Sequence, residues 1–160
     1  MKKIGLLLIL CIAFLVSAYT INAGVTVDNI PKTFFGSWRV EAILVESNEN
    51  RVFKPQSVDL WNLSRVGNVL KLENPFTGAS AEVSLKATEG NLVVFSKSSN
   101  WDNQVLKDTV SLRLENDTFT GINDVVLETH SLFDNHVIKK CTARYKIKGK
   151  KLSGNTLLKY

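Results

Sequence analysis

From Trp38 to Leu152 apolar and polar residues take turns in short runs, each closed by glycine, asparagine, aspartate or proline, and no stretch repeats its apolar residues at helical spacing. A period of two belongs to strands with one buried and one wet face, so the backbone must find its hydrogen bonds between strands. Trp38, Val40, Ala42 and Leu44 alternate with Arg39, Glu41, Ile43 and Val45, and the SNEN stretch turns the chain. SVDLWNLSRV then runs to Gly67-Asn68, a pair that supplies the positive φ angles of a tight hairpin. VLKLE ends at the turn NPFTG, and Ala81, Val83, Leu85 and Ala87 make a small-apolar face before Glu89-Gly90-Asn91 turns into LVVFS. Leu106, Val110, Leu112 and Leu114 mark a longer strand, with Asp108 as the one charged residue on that face. After the ENDT turn come FTGINDVVLET, a polar loop around Asp134-Asn135, and HVIKKCTARYKIK. GKKLSG suggests a last hairpin, and SSNWDN reads as a loop carrying Trp101.

These runs predict an all-β fold, an antiparallel up-and-down barrel of about 8–10 strands, because closing a meander removes its exposed edges. A two-sheet β-sandwich is the alternative, with residues 98–103 as its crossing connection.

The start of the chain differs in kind. Lys2 and Lys3 precede the apolar run Ile4 to Val16, and a short polar tail ends in Ala23. This pattern predicts a secretory signal over residues 1–23, with cleavage after Ala18 as the other site. The run is shorter than the ~20 residues a spanning helix needs, so no integral membrane segment is expected. Leu10 stands where a bacterial lipid-modification box wants a small residue, so Cys11 reads as an apolar residue of the signal. Residues 24–160 then form a single domain, expected to be exported to a bacterial periplasm or medium.

Two of the 20 basic residues lie in the signal, leaving 18 against 15 acidic ones. That balance solvates a surface and does not amount to a nucleic-acid footprint. The local excess, Lys139, Lys140, Arg144, Lys146, Lys148, Lys150 and Lys151, alternates with Cys141, Ala143, Tyr145 and Ile147, as on the wet face of a half-buried strand. An anionic surface or acidic partner is its sharper reading. Cys141 is the sole cysteine beyond the signal, so no intrachain disulfide is available to the domain, and a buried inert thiol is expected.

No constellation predicts catalysis. His130 and His136 flank a loop with Asp134 between them, a spacing that matches no structural zinc pattern, so no metal or other cofactor is expected. The serines lack a sharp strand-to-helix nucleophile turn. Asp117, Asp124 and Glu128 sit in turns and polar strand faces, where carboxylates are solvated. The strand SVDLWNLSRV is the candidate site. Asp59, Trp61, Leu63 and Arg65 share one face, an aromatic wall with orienting polar groups such as a pocket uses; an Asp59–Arg65 surface pairing beside a core aromatic is the plainer reading.

At the start of the first strand, FFGSWRV carries Gly36-Ser37-Trp38, which resembles the G-x-W signature opening the first strand of lipocalins and related calycin barrels. Toward the other end Arg144, in CTARYKIKG, stands where such barrels carry a cation packed across that tryptophan. The resemblance implies that Gly36, Trp38 and Arg144 close one end of the barrel, by stacking a guanidinium on an indole. Arg144 is out of phase with Tyr145 and Ile147, which sets it outside if those two face in. The usual lipocalin disulfide has no counterpart, and avidin-like and small protease-inhibitor barrels share the same opening. The function implied is non-catalytic binding of a small apolar or amphipathic ligand, for which the strand reading above offers Asp59, Trp61 and Arg65. The alternative is an inhibitor or protein-binding module of the cell envelope with a filled core.

Overall fold

The computed structural model describes residues 26–154, so the expected signal and Cys11 lie outside the described residues. Eight strands close into one antiparallel barrel in which each pairs with its sequence neighbour and the last returns to the first. They are β1 (Gly36–Ser47), β2 (Gln56–Val66), β3 (Val69–Asn74), β4 (Ala79–Glu89), β5 (Leu92–Trp101), β6 (Gln104–Glu115), β7 (Thr118–His130) and β8 (Val137–Ser153). The barrel is the up-and-down form, and the sandwich alternative falls away.

Four of the connections are two-residue hairpins, set by the pairs Val66↔Val69, Glu89↔Leu92, Trp101↔Gln104 and Glu115↔Thr118. Each opens on a residue with positive φ: Gly67 (60°), Gly90 (57°), Asp102 (49°) and Asn116 (53°). Glycine, asparagine and aspartate tolerate that left-handed conformation, which matches the twist of the strands they join. The third hairpin corrects the reading of SSNWDN: Trp101 is the last residue of β5, and the loop is Asp102-Asn103 alone.

A second correction concerns GKKLSG. β8 runs unbroken through Gly149, because a side chain there would collide with the ring of Phe119, packed from the neighbouring strand. The glycine is a notch in a wall. A third concerns β4, where the register skips Lys86 between Leu85↔Phe95 and Ala87↔Val94. That bulge turns Ala87 to the outer face, out of line with Val83 and Leu85.

The core sits off centre along the barrel axis. Trp38, Phe95 and Phe119 from the strands meet Phe34 and Phe35 from a lead-in that carries short 3-10 turns at Val27–Asn29 and Lys32–Phe34. This segment folds against the core. Its Phe34 carbonyl accepts a 2.9 Å hydrogen bond from the Trp38 indole Nε1. Ring centroids lie 5.1 Å apart for Trp38–Phe119, 6.1 Å for Trp61–Phe119 and 6.0 Å for Phe34–Phe95. Each such pair adds about 0.5–1.5 kcal/mol beyond its burial, so this end is a solid aromatic plug.

Candidate functional site

The opposite end, reached by the β1–β2, β5–β6 and β7–β8 connections, is built differently. Lys97 and Asp108 are direct cross-strand partners, as are Asn123 and Tyr145, and their phase along the strands points them into the barrel. Asp108 is only 6% exposed. Its carboxylate receives Lys97 Nζ at 3.3 Å and the Asn123 Nδ2 amide at 3.3 Å. A carboxylate only accepts, so the amide must turn its nitrogen that way. Asn123 Oδ1 is thereby left buried with no hydrogen-bond partner among the described residues. Such an arrangement costs about 1–3 kcal/mol, and a core built for stability alone would not choose it.

Around Asn123 opens a cup of about 370 Å³, walled by Phe53, Trp101, Leu106, Val125, Leu127 and Tyr145. Tyr145 donates a 3.0 Å hydrogen bond to the carbonyl of Lys54, tying the β1–β2 loop to the wall, and burial pushes its phenol above the ordinary tyrosine range. Trp101 is held by its indole Nε1, which donates to Gln104 Oε1 at 2.8 Å. Apolar walls with a few polar groups are the usual makeup of a small-molecule pocket, and this volume lies at the lower end of the usual range of about 300–1,000 Å³.

The three residues singled out on β2 are not brought together. Trp61 is buried in the aromatic plug, stacked on Phe119 with an interplanar angle of 26°. Arg65 lies near the end of β2 and pairs with Asp28 of the lead-in at 2.6 Å. Asp59 is exposed, accepting hydrogen bonds from the Leu60 amide and from Asn74 Nδ2. It borders a hollow of about 400 Å³ that takes in Arg39, Val58, Leu60, Phe76 and Leu152. Arg39 and Leu60 are cross-strand partners out of phase with Trp38 and Trp61, which puts this hollow on the outer wall. The Asp59–Arg65 pairing is absent too, since each has another partner.

Arg144 also stands elsewhere than the resemblance implied. It lies on the outer face of β8 in a bidentate pair with Asp124, 2.7 Å from Nε to Oδ1, which holds its guanidinium above the usual arginine range. Lys151 takes the position over Trp38 instead, with Nζ 5.1 Å from the ring centroid and donating to the Thr33 carbonyl at 2.8 Å. Burial pulls this ammonium below the ordinary lysine range. Register decides the exchange, because Lys151 is the direct partner of Trp38 whereas Arg144 partners Glu46 at the far end of β1. Gly36 has a φ of 128°, and a Cβ there would run into the Ser153 and Gly154 carbonyls where the barrel closes.

His130 holds its Nδ1 against the Asn135 carbonyl at 2.9 Å, and His136 faces Asp134 at 2.6 Å. No group of three metal-ligating side chains occurs among the described residues. Cys141 is 3% exposed on the inner face, opposite Leu127. Sequence reasoning passed over Lys97 and Asn123. The available signal was Asp108, a lone charge on an apolar face, which demands buried partners on the strands beside it.

No helix among the described residues is long and apolar enough to cross a membrane. The closed eight-strand antiparallel barrel fits a lipocalin-like fold. Comparison of the chain with protein-family models, with curated proteins and with solved structures finds no match.

Proposed function

We propose that the barrel is a non-catalytic binding module that takes one small amphipathic molecule into the cup at its open end. The observation that supports this reading is the uneven filling of the interior: aromatic side chains pack one end solid, while the other keeps about 370 Å³ beside a buried polar cluster. The apolar body of the ligand lies against Trp101, Leu106 and Leu127, and its polar end is directed toward Asn123. Export completes the proposal on the strength of residues 2–23. Sequencing the mature amino terminus should find Tyr19 or Gly24 there, and a protein retaining Met1 would remove export without touching the cup.

A titration with the neutral fluorophore N-phenylnaphthylamine tests the binding. One saturable site is expected, weakened about tenfold by Trp101→Ala, the equivalent of about 1.4 kcal/mol of lost contact. Leu127→Trp should block it by filling the cup. A folded protein that takes up no probe would leave the interaction-module reading in its place.

A further inference from the structure

The β7–β8 connection carries a feature that the cup does not need. Leu132 is 82% exposed and Phe133 fully so, at the tip of a loop between His130 and Val137. The loop is firmly tied: Ser131 N donates to the His136 carbonyl at 2.8 Å, Asn135 N to the Ser131 carbonyl at 3.2 Å, and Phe133 N to Ser131 Oγ at 3.2 Å. At its base, His130 N donates to the Asn103 carbonyl at 2.7 Å and Asn103 Nδ2 returns a bond to the His130 carbonyl at 2.8 Å. These five hydrogen bonds hold the two large apolar side chains out of the barrel as a fixed projection.

We propose that this tip docks the barrel, open end first, on an anionic lipid bilayer. Three observations point to lipid rather than to a folded protein. The apolar surface at the tip is a projection of two adjacent side chains, whereas a stable protein interface covers about 800 Å² on each partner. A bilayer moulds itself around such a projection, and the apolar face of an interfacial anchor sinks about 5–10 Å. The charges also stand at the right depth. Val137 and Ile138, both exposed, lead into Lys139 and Lys140, which at ~3.3 Å per strand residue lie about 7–10 Å along β8 from Val137. That is the level of the phosphates when the tip is immersed. Glu128 is engaged by Lys107 at 2.6 Å and Asp134 faces His136 at 2.6 Å. Glu49 and Asp102 also lie in the connections of this end, so the attraction for anionic headgroups is local to Lys139 and Lys140. Trp101, 43% exposed on the hairpin hydrogen-bonded to the loop base, adds an amphipathic ring of the kind that settles at a membrane interface.

Flotation with two vesicle preparations tests the proposal, one of phosphatidylcholine alone and one with a third of it replaced by phosphatidylserine. The protein should float with the serine-containing vesicles at low salt and lose most of that binding at high salt. Leu132→Ser with Phe133→Ser should reduce it at least tenfold without moving the melting temperature, since neither side chain packs on the barrel. Lys139→Gln with Lys140→Gln should reduce it about tenfold or more on serine vesicles and hardly at all on phosphatidylcholine. No flotation with either preparation at low salt would overturn the proposal. So would flotation that survives the two serine substitutions, or a folded protein that ignores vesicles while the same tip binds a purified protein partner.

Discussion

The two ends of this barrel are made from the same strands by opposite means. At the closed end large apolar and aromatic groups fill the interior, with Gly149 leaving room for the Phe119 ring, the lead-in lays Phe34 and Phe35 against them, and Lys151 caps Trp38. At the open end the inward positions of β5, β6 and β7 become Lys97, Asp108 and Asn123, and space replaces packing. Stability is therefore concentrated where nothing enters, which leaves the other end at liberty to carry polar groups that a core would exclude.

Substitutions that separate the ends measure how complete that division is. The largest effect is expected at the plug. Trp38→Ala removes a fully buried indole and should cost about 3–5 kcal/mol in chemical denaturation, and a loss under ~1 kcal/mol would mean that the plug is not the seat of stability. Next comes the polar cluster, where Asp108→Ala strands Lys97 and the Asn123 amide. A loss of about 1–3 kcal/mol is expected, smaller than at the plug because Lys97 retains 27% of its side-chain exposure and can turn to water. A stabilised variant would show that the cluster is held against the interests of folding. The smallest effect concerns the cap. Lys151→Met and Trp38→Phe should couple by about 0.5–1 kcal/mol in a double-mutant cycle, whereas Arg144→Met paired with Trp38→Phe should be additive. Coupling of Arg144 and independence of Lys151 would reverse the assignment of the cap.

The parts of the molecule that were legible in sequence were those governed locally. The hairpins at Gly67, Gly90 and Asn116 announce themselves because few residues accept a left-handed backbone, and the period of two gives the strands. The site was hidden because it depends on register and on distance along the barrel axis. Phase set Arg144 outside, but Lys151 was read with the wet-face lysines because GKK resembles a turn, and only the Phe119 ring against Gly149 and the Trp38↔Lys151 register show otherwise. Trp61 and Trp101 both end up on inner faces. Only the stagger of the strands tells which belongs to the plug and which to the cup, and no pattern within a single strand carries that information.

The ladder that joins β1 to β8, from Ser37↔Ser153 to Ser47↔Ala143, has a bearing on when this chain can become a protein. Every other ladder links neighbours in sequence; this one waits for the final strand. Until residues 137–153 are available, β1 and β7 are both bare edges and Trp38 lacks the ammonium that covers it. Pairings this remote in sequence form slowly. A chain emerging from its amino terminus thus stays open and threadable for most of its length, and the last strand to arrive is the one that locks it.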